Sequence, residues 1–278
     1  MSSRIGTNLL IRATSGIGEA LTHRFHGMGK KVIVTGRDRT KLATLAAELN
    51  GLETRHLDLA DLASLPAIVT QILKDFPTLD TVFINGGIQK YYDLFNPATT
   101  SADQIIHEIT VNLTAPNLLA RLFAPHLLAL AESGSKSNIF ITSSSIAYIP
   151  LGFYPTYCAA KAGVHAFTKC FRQQLSFAGE EACKNMNIVE VVPPYVDTGL
   201  DHEHREFTVA IQGGEDKASP PITLDDYIDR FFATLEKPEP DGSFKKEIGV
   251  GLVSGETPNI SIDINMPERK AGLGAEMP

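Results

Sequence analysis

The sequence predicts an α/β protein: one parallel sheet with helices packed on both faces. Short apolar runs alternate with helical stretches of ten or more residues, the pattern of strands joined by crossover helices. The first apolar run opens into a glycine-bearing turn, Ala13-Thr14-Ser15-Gly16-Ile17-Gly18, and a helix follows it. At 278 residues, the chain is long enough for one large α/β domain and can bury a sizeable core without disulfides.

The elements follow in order. Residues 8–11 form a short apolar strand. Residues 16–29 read as a helix with Ala20, Leu21 and Phe25 on one face and Gly29 as its stop. A second strand covers 31–35, and Asp38 is placed to cap a helix running to Leu49. A strand before Asp58, a helix from about Leu62 to Asp75 and a strand over 81–84 repeat the pattern. Long helices are expected over 102–132 and 155–178, separated by a strand at Ile139. Another strand, 187–192, runs into Pro193-Pro194. Residues 201–220 are polar and glycine-containing, an insertion of the kind that often forms a lid over a site. A helix over 224–235 and a last strand over 248–253 would complete a domain spanning 1–253. From Ser254 to the end, prolines, glycines and charges predict a loosely held tail.

Composition narrows the function. Hydrophobic residues make up 43 % of the chain and the net charge is −7. That describes an ordinary soluble protein and argues against nucleic acid or anionic membrane as partner. The longest apolar run, 118–131, is broken by Arg121, Pro125 and His126, so no membrane span is expected. Cys158, Cys170 and Cys183 show no C-x-x-C pairing, which fits reduced thiols in the cytoplasm. The first six residues lack the apolar core of a signal peptide.

The chemistry gathers around Tyr157-Cys158-Ala159-Ala160-Lys161. A lysine four residues after a tyrosine shares its helix face. An ammonium there favours the phenolate, which would let the phenol exchange a proton near neutral pH. Ser144 lies thirteen residues upstream, where a buried strand runs out into a hydroxyl-rich loop. Cys158 reads as a packing residue. His202 and His204 flank Glu203 without a further ligand nearby, so a metal site is not expected. His23 and His26 are expected on an exposed helix face.

Taken together, the glycine turn, Asn85-Gly86-Gly87, Asn112 in Val111-Asn112-Leu113, Ser144 and the Tyr157/Lys161 pair resemble the short-chain dehydrogenase/reductase family from residue 8 to residue 198. The resemblance implies a Rossmann-like, doubly wound sheet. It also implies Tyr157 as general acid or base, with Lys161 lowering its pKa and holding the nicotinamide ribose. Ser144 would hold the substrate oxygen, and Asn112 would support a water between Lys161 and solvent. The cofactor would rest on Arg12, Ser15, Gly16, Ile17, Gly18, Arg37, Asp58, Leu59, Asn85, Gly86, Tyr157, Lys161, Val196 and Thr198. Gly36-Arg37, where an acidic residue would hold the ribose diol of NAD, favours NADP over NAD.

The sequence departs from the family pattern in three places. Ile11 and Arg12 stand where the family has threonine and glycine. Ile84 replaces the first asparagine of N-N-A-G, and Pro194 replaces the glycine of P-G-x-V-x-T. Arg12 is either tolerated, turned to solvent or phosphate, or weakens the cofactor site; a damaging change is the third reading. The leading expectation is an NADP-dependent reductase or dehydrogenase of a small to medium apolar carbonyl compound, whose substrate wall is Tyr148–Tyr154. A regulatory cofactor-binding protein and a non-redox dehydratase or isomerase are the alternatives. The family commonly pairs its two long helices across a two-fold axis, so a homodimer or homotetramer is expected.

Overall fold

The computed structural model describes residues 4–250. Seven parallel strands form one sheet in the order β3-β2-β1-β4-β5-β6-β7. They are β1 (Thr7–Ile11), β2 (Lys31–Gly36), β3 (Glu53–His56), β4 (Thr81–Ile84), β5 (Ser137–Thr142), β6 (Met186–Val192) and β7 (Glu247–Gly249). The helices are α1 (Gly16–Gly27), α2 (Arg39–Glu48), α3 (Leu65–Asp75), α4 (Ala102–Ile109), α5 (Ala115–Glu132), α6 (Pro155–Leu175), α7 (Glu180–Asn185), α8 (Arg205–Ile211) and α9 (Leu224–Leu235). The doubly wound fold expected from the alternation is therefore present.

Because side chains alternate along a strand, each central strand feeds two cores. Leu9, Ile11, Val82, Ile84, Ile139 and Ile141 pack with α3, α5 and α6. Leu10, Phe83 and Phe140 point the other way, toward α1, α2 and α9. There Phe83 stacks on Phe140 with ring centroids 4.2 Å apart. Strand order reverses between β1 and β4, and the crevice at their carboxyl ends is the usual ligand position in such sheets.

Several boundaries differ from expectation. The long helix over 102–132 is broken by a π turn at Thr110–Thr114, where the Ala115 N–H reaches back to the carbonyl of Thr110. Pro116 accounts for it: proline has no N–H to offer the carbonyl four residues back and crowds it sterically. The next helix stops at Leu175 rather than at Ala178, and Gly179, at φ +102°, turns the chain into α7. The helix expected from Leu62 begins at Leu65. The 201–220 insertion contains a short helix, α8. His23 and His26 are half-buried rather than exposed, and His26 Nε2 lies 2.9 Å from the Asn50 carbonyl. Residues 251–253 of the last expected strand and the tail from Ser254 lie outside the described residues. Among the described residues no helix is long and apolar enough to cross a membrane.

Candidate active site

The site is built where β1, β4, β5 and β6 end. After β1 the backbone turns at Arg12, whose φ is +56° and which is the one non-glycine residue with positive φ among the described residues. The turn is tied to β2 by the Ala13 N–H, 3.0 Å from the Thr35 carbonyl, and by the Arg12 N–H, which donates to Thr35 Oγ1 at 3.3 Å. Ser15 precedes α1 without capping it through its side chain. Gly16 has φ +54°, and a Cβ there would meet Thr198 Cβ at 3.0 Å. A Cβ on Gly18 would lie 2.8 Å from Ala13 Cα, and one on Gly86 would lie 2.3 Å from Leu59 Cδ1. At these glycines the chain packs so closely against its neighbours under the crevice that a side chain would clash.

Arg12 does not turn to solvent. Its Cδ lies 3.9 Å from where a Gly86 Cβ would be, and its guanidinium acts on Arg37, Tyr157, Asp58 and Lys161. Burial and the like charge of Arg37 lower its pKa. Asp58 caps its own turn by accepting from the Ala60 N–H at 2.9 Å, and Leu59 packs under Gly86. Asp38 caps α2 by accepting from the Thr40 and Lys41 N–H groups, as its position predicts. Arg37 is exposed at the rim.

At the other end of the crevice, α6 presents Tyr157 and Lys161, both buried. The Lys161 ammonium donates to the carbonyls of Gly86 at 3.1 Å and Thr142 at 2.9 Å. It lies 5.6 Å from the centre of the Tyr157 ring. Burial brings the Lys161 pKa down to about 7, and Arg12 adds to that shift. The phenol departs from expectation: burial pushes its pKa up, Glu108 adds to the rise, and Ser144 and Arg12 oppose it. Lysine does not offset the burial because its own ammonium is destabilised by burial and by Arg12, and it gives up its proton before the phenol does. Ser144, nearly buried, accepts from the Ile146 N–H at 3.4 Å.

Asn112 sits in the π turn and clasps the loop after β4. Its Oδ1 accepts from the Ile88 N–H at 2.8 Å, and its Nδ2 donates to the Ile88 carbonyl at 2.7 Å. Asn85 Oδ1 accepts from Thr142 Oγ1 at 3.1 Å. Val196 is buried and pairs with Ile222, and Thr198 stands over Gly16. One cavity of about 2380 Å³ reaches Arg12, Ser15, Gly16, Ile17, Arg37, Asn85, Gly86, Ser144, Tyr157, Lys161, Val196 and Thr198. Gly18, Asp58, Leu59 and Asn112 lie behind its wall, shaping it.

This arrangement of one crevice, a glycine floor and a Ser/Tyr/Lys cluster agrees with comparison to known proteins. The profile of the family described as short chain dehydrogenase matches residues 8–208. The chain belongs to the short-chain dehydrogenase/reductase family. It is 36 % identical over 231 residues to "Uncharacterized oxidoreductase DltE" of Bacillus subtilis (strain 168), covering 83 % of this chain and 84 % of that protein. Two solved structures share the fold. A short-chain dehydrogenase from Sphingobium yanoikuyae in complex with NADPH has TM-score 0.69 and 23 % identity, covering 88 % of this chain and 87 % of its own. A 3-ketoacyl-(acyl-carrier-protein) reductase from Brucella melitensis complexed with NADH has TM-score 0.72 and 24 % identity, covering 88 % and 96 %.

Further buried groups lie near the crevice and carry no motif in the sequence. Glu108 is buried on α4, accepts from the Lys90 N–H at 3.0 Å, and has its pKa pushed up to about 7 by burial. Glu190 is fully buried on β6 and accepts from Ser143 Oγ and from Tyr148 OH at 3.2 Å. His165 Nδ1 lies 2.8 Å from Glu190 Oε2. With Glu247, His165 and Glu190 form the one group of metal-capable side chains found among the described residues. A charged residue inside the apolar run 188–192 was the available signal.

Residues 201–211, several of which line the crevice, are tied to other parts of the fold by side-chain contacts. Lys90 pairs with Glu203, Tyr91 packs edge-on against Phe207 at 4.6 Å, and Tyr154 lies 5.2 Å from His204. Arg205 bridges Asp197 at 2.8 Å and Asp201 at 3.2 Å.

Proposed function

We propose that this chain interconverts a ketone and a secondary alcohol with NADP(H), acting on a small to medium apolar carbonyl compound. The observation that carries the reading is the buried Tyr157 phenol, which lines one crevice together with Ser144 and Lys161. The glycine floor fits a dinucleotide, whose pyrophosphate suits the N-terminus of α1. Arg12 narrows that floor without closing it. A nicotinamide dinucleotide, when bound, supplies or accepts the hydride.

The remaining steps belong to the chain. Ser144 holds the substrate oxygen and stabilises charge developing there. In reduction Tyr157 gives that oxygen its proton, and in oxidation it takes the proton back. A raised pKa favours the donor form at rest. Arg12 is the cation placed to stabilise the phenolate left behind. Asn112 acts as a positioning residue, holding the loop at Ile88 beside Lys161.

NADP is favoured because two guanidiniums, Arg12 and Arg37, face the adenosine end with Asp58 as the nearby acid. The one carboxylate that could hold a ribose diol, Asp38, already accepts two backbone N–H groups. A 2′-phosphate would relieve the Arg12–Arg37 repulsion. Solved structures of this fold are complexed with NADPH in one case and NADH in another, so the preference rests on these residues. Free thiols at Cys158, Cys170 and Cys183 fit the cytoplasm, and the family pattern fits a homodimer or homotetramer.

Arg12 inside the crevice and Pro194 at its nicotinamide end favour a second reading, a cofactor-binding protein without redox turnover. Fluorescence titration with NADPH and NADH, followed by turnover assays on simple ketones, separates the two. We expect NADPH to bind about tenfold tighter and to be oxidised when a ketone is added. Tight binding with no ketone-dependent oxidation would favour the second reading.

A further inference from the structure

A second, smaller cavity of about 290 Å³ adjoins the crevice, lined by Tyr91, Tyr92, Asp93, Leu94, Phe95, Gly152, Phe153 and Ile211. Phe153 lines both cavities. The wall between them is apolar: Tyr157, Tyr154 and Cys158 form one buried cluster, and Phe153 and Tyr91 pack against it. Beyond Phe153 the groove ends at large apolar residues open to water. Phe95 is 96 % exposed and Leu94 70 %.

Two of the groove's polar side chains, Asp93 and Tyr92, are already engaged. Asp93, its one ionisable acid, accepts from the Phe95 N–H at 2.9 Å. Lys90 at its edge is paired with Glu203, and Tyr92 OH bonds Thr156 Oγ1. No lysine, arginine or histidine is among the eight lining residues, so nothing there would receive the phosphates of a carrier-bound thioester. Exposed apolar surface adjoining a reaction crevice marks a ligand contact.

We propose that this groove is a subsite for the unbranched hydrocarbon tail of a neutral ketone or secondary alcohol, with the reacting carbon at Tyr157. The proposal rests on the reductase reading and names its substrate class as long-chain aliphatic rather than carrier-linked. Each methylene buried in the groove strengthens binding in ground and transition state alike, so selectivity appears in kcat/KM.

The test is a homologous series of straight-chain methyl ketones from butanone upward, assayed with NADPH. Binding of the same ketones to the full chain is measured by calorimetry. kcat/KM and affinity should climb about three- to fourfold per methylene until the groove is full. Phe95→Asp and Ile211→Asp should flatten the climb while leaving butanone turnover as in wild type. Gly152→Leu should stop the climb at a shorter chain; a Cβ at Gly152 meets nothing within 4 Å, so that variant should fold. A coenzyme A thioester of equal chain length should bind no better than the free ketone.

Flat kcat/KM and flat affinity with chain length would overturn the proposal while leaving the reductase reading standing. Absence of turnover with every ketone would defeat that reading, yet a calorimetric climb abolished by Ile211→Asp would still support the subsite. A groove insensitive to ketones whose Ile211→Asp variant changes oligomeric state would be a contact between copies of this chain, and the proposal would fall.

Discussion

Arg12 concentrates the residue-scale questions. An L-residue at φ +56° is held against a local cost of about 1–2 kcal/mol. Arg12→Gly should therefore stabilise the protein by about 0.5–1 kcal/mol, since the freer unfolded chain offsets part of the relief. Thermal denaturation reads this directly. The same change opens the floor for either cofactor but removes a cation from the adenosine end, so NADH affinity should gain more than NADPH affinity. Unchanged affinities for both would show that the guanidinium leaves the crevice when a cofactor arrives. Tyr157→Phe should cut turnover by at least about 10²-fold with cofactor affinity within a few-fold; retention of a tenth of the activity would remove the phenol from the mechanism. The Ser144, Tyr157 and Lys161 positions were legible in sequence because helix spacing and strand ends fix where such side chains emerge. The direction of Arg12 was not, because a long side chain's rotamer depends on the walls around it, here Gly86, Asp58 and Tyr157. The direction of the Tyr157 shift was missed for a related reason: spacing brings Lys161 near, but only the fold shows its ammonium destabilised by burial and by Arg12.

At the scale of elements, α4 carries a buried acid whose ionisation the fold resists. The folded-state pKa of Glu108 is raised from 4.5 to about 7. Below 4.5 the group is protonated folded or unfolded and costs nothing. Between 4.5 and 7 the unfolded chain ionises this carboxyl while the folded protein keeps it protonated, so stability falls across that window and the loss is complete above 7. Glu108→Gln, which keeps a carbonyl acceptor for the Lys90 N–H, should match wild type at about pH 4 and exceed it by about 1–3 kcal/mol at about pH 8. Lys161, depressed to about 7 from 10.5, works in the opposite sense above neutrality, so the difference between variant and wild type isolates Glu108. Denaturant titrations at the two pH values decide it. Glu190→Ala would strand Ser143, Tyr148 and His165, a loss of about 3–5 kcal/mol for a broken buried charge network; a denaturation midpoint unmoved by the change would mean the network is already open to water. Strands and most helix starts could be read from apolar period and caps, as at Asp38. The π turn could not, although Pro116 was in view, because period alone does not distinguish a proline that starts a helix from one that interrupts it. Helix α8 was hidden by polar composition; what holds it is long-range, Tyr91 on Phe207 and Lys90 on Glu203.

For the whole molecule, α5 and α6 present half-buried apolar side chains, Leu118, Leu122, Phe167 and Phe171, beyond what the sheet covers. A second copy packed there would complete their burial. Light scattering at micromolar concentration should return a dimer or tetramer, and Phe171→Glu should shift it toward monomer; a wild-type monomer would count against the pairing. The strand order has a further consequence, for synthesis. The first 56 residues supply the half-sheet β3-β2-β1, and every later strand is laid down outward from β1 in chain order. A chain emerging from the ribosome thus always shows its newest strand as a raw edge, open to mispairing. The crevice, lined by residues from both halves, is complete only once β6 has paired with β5.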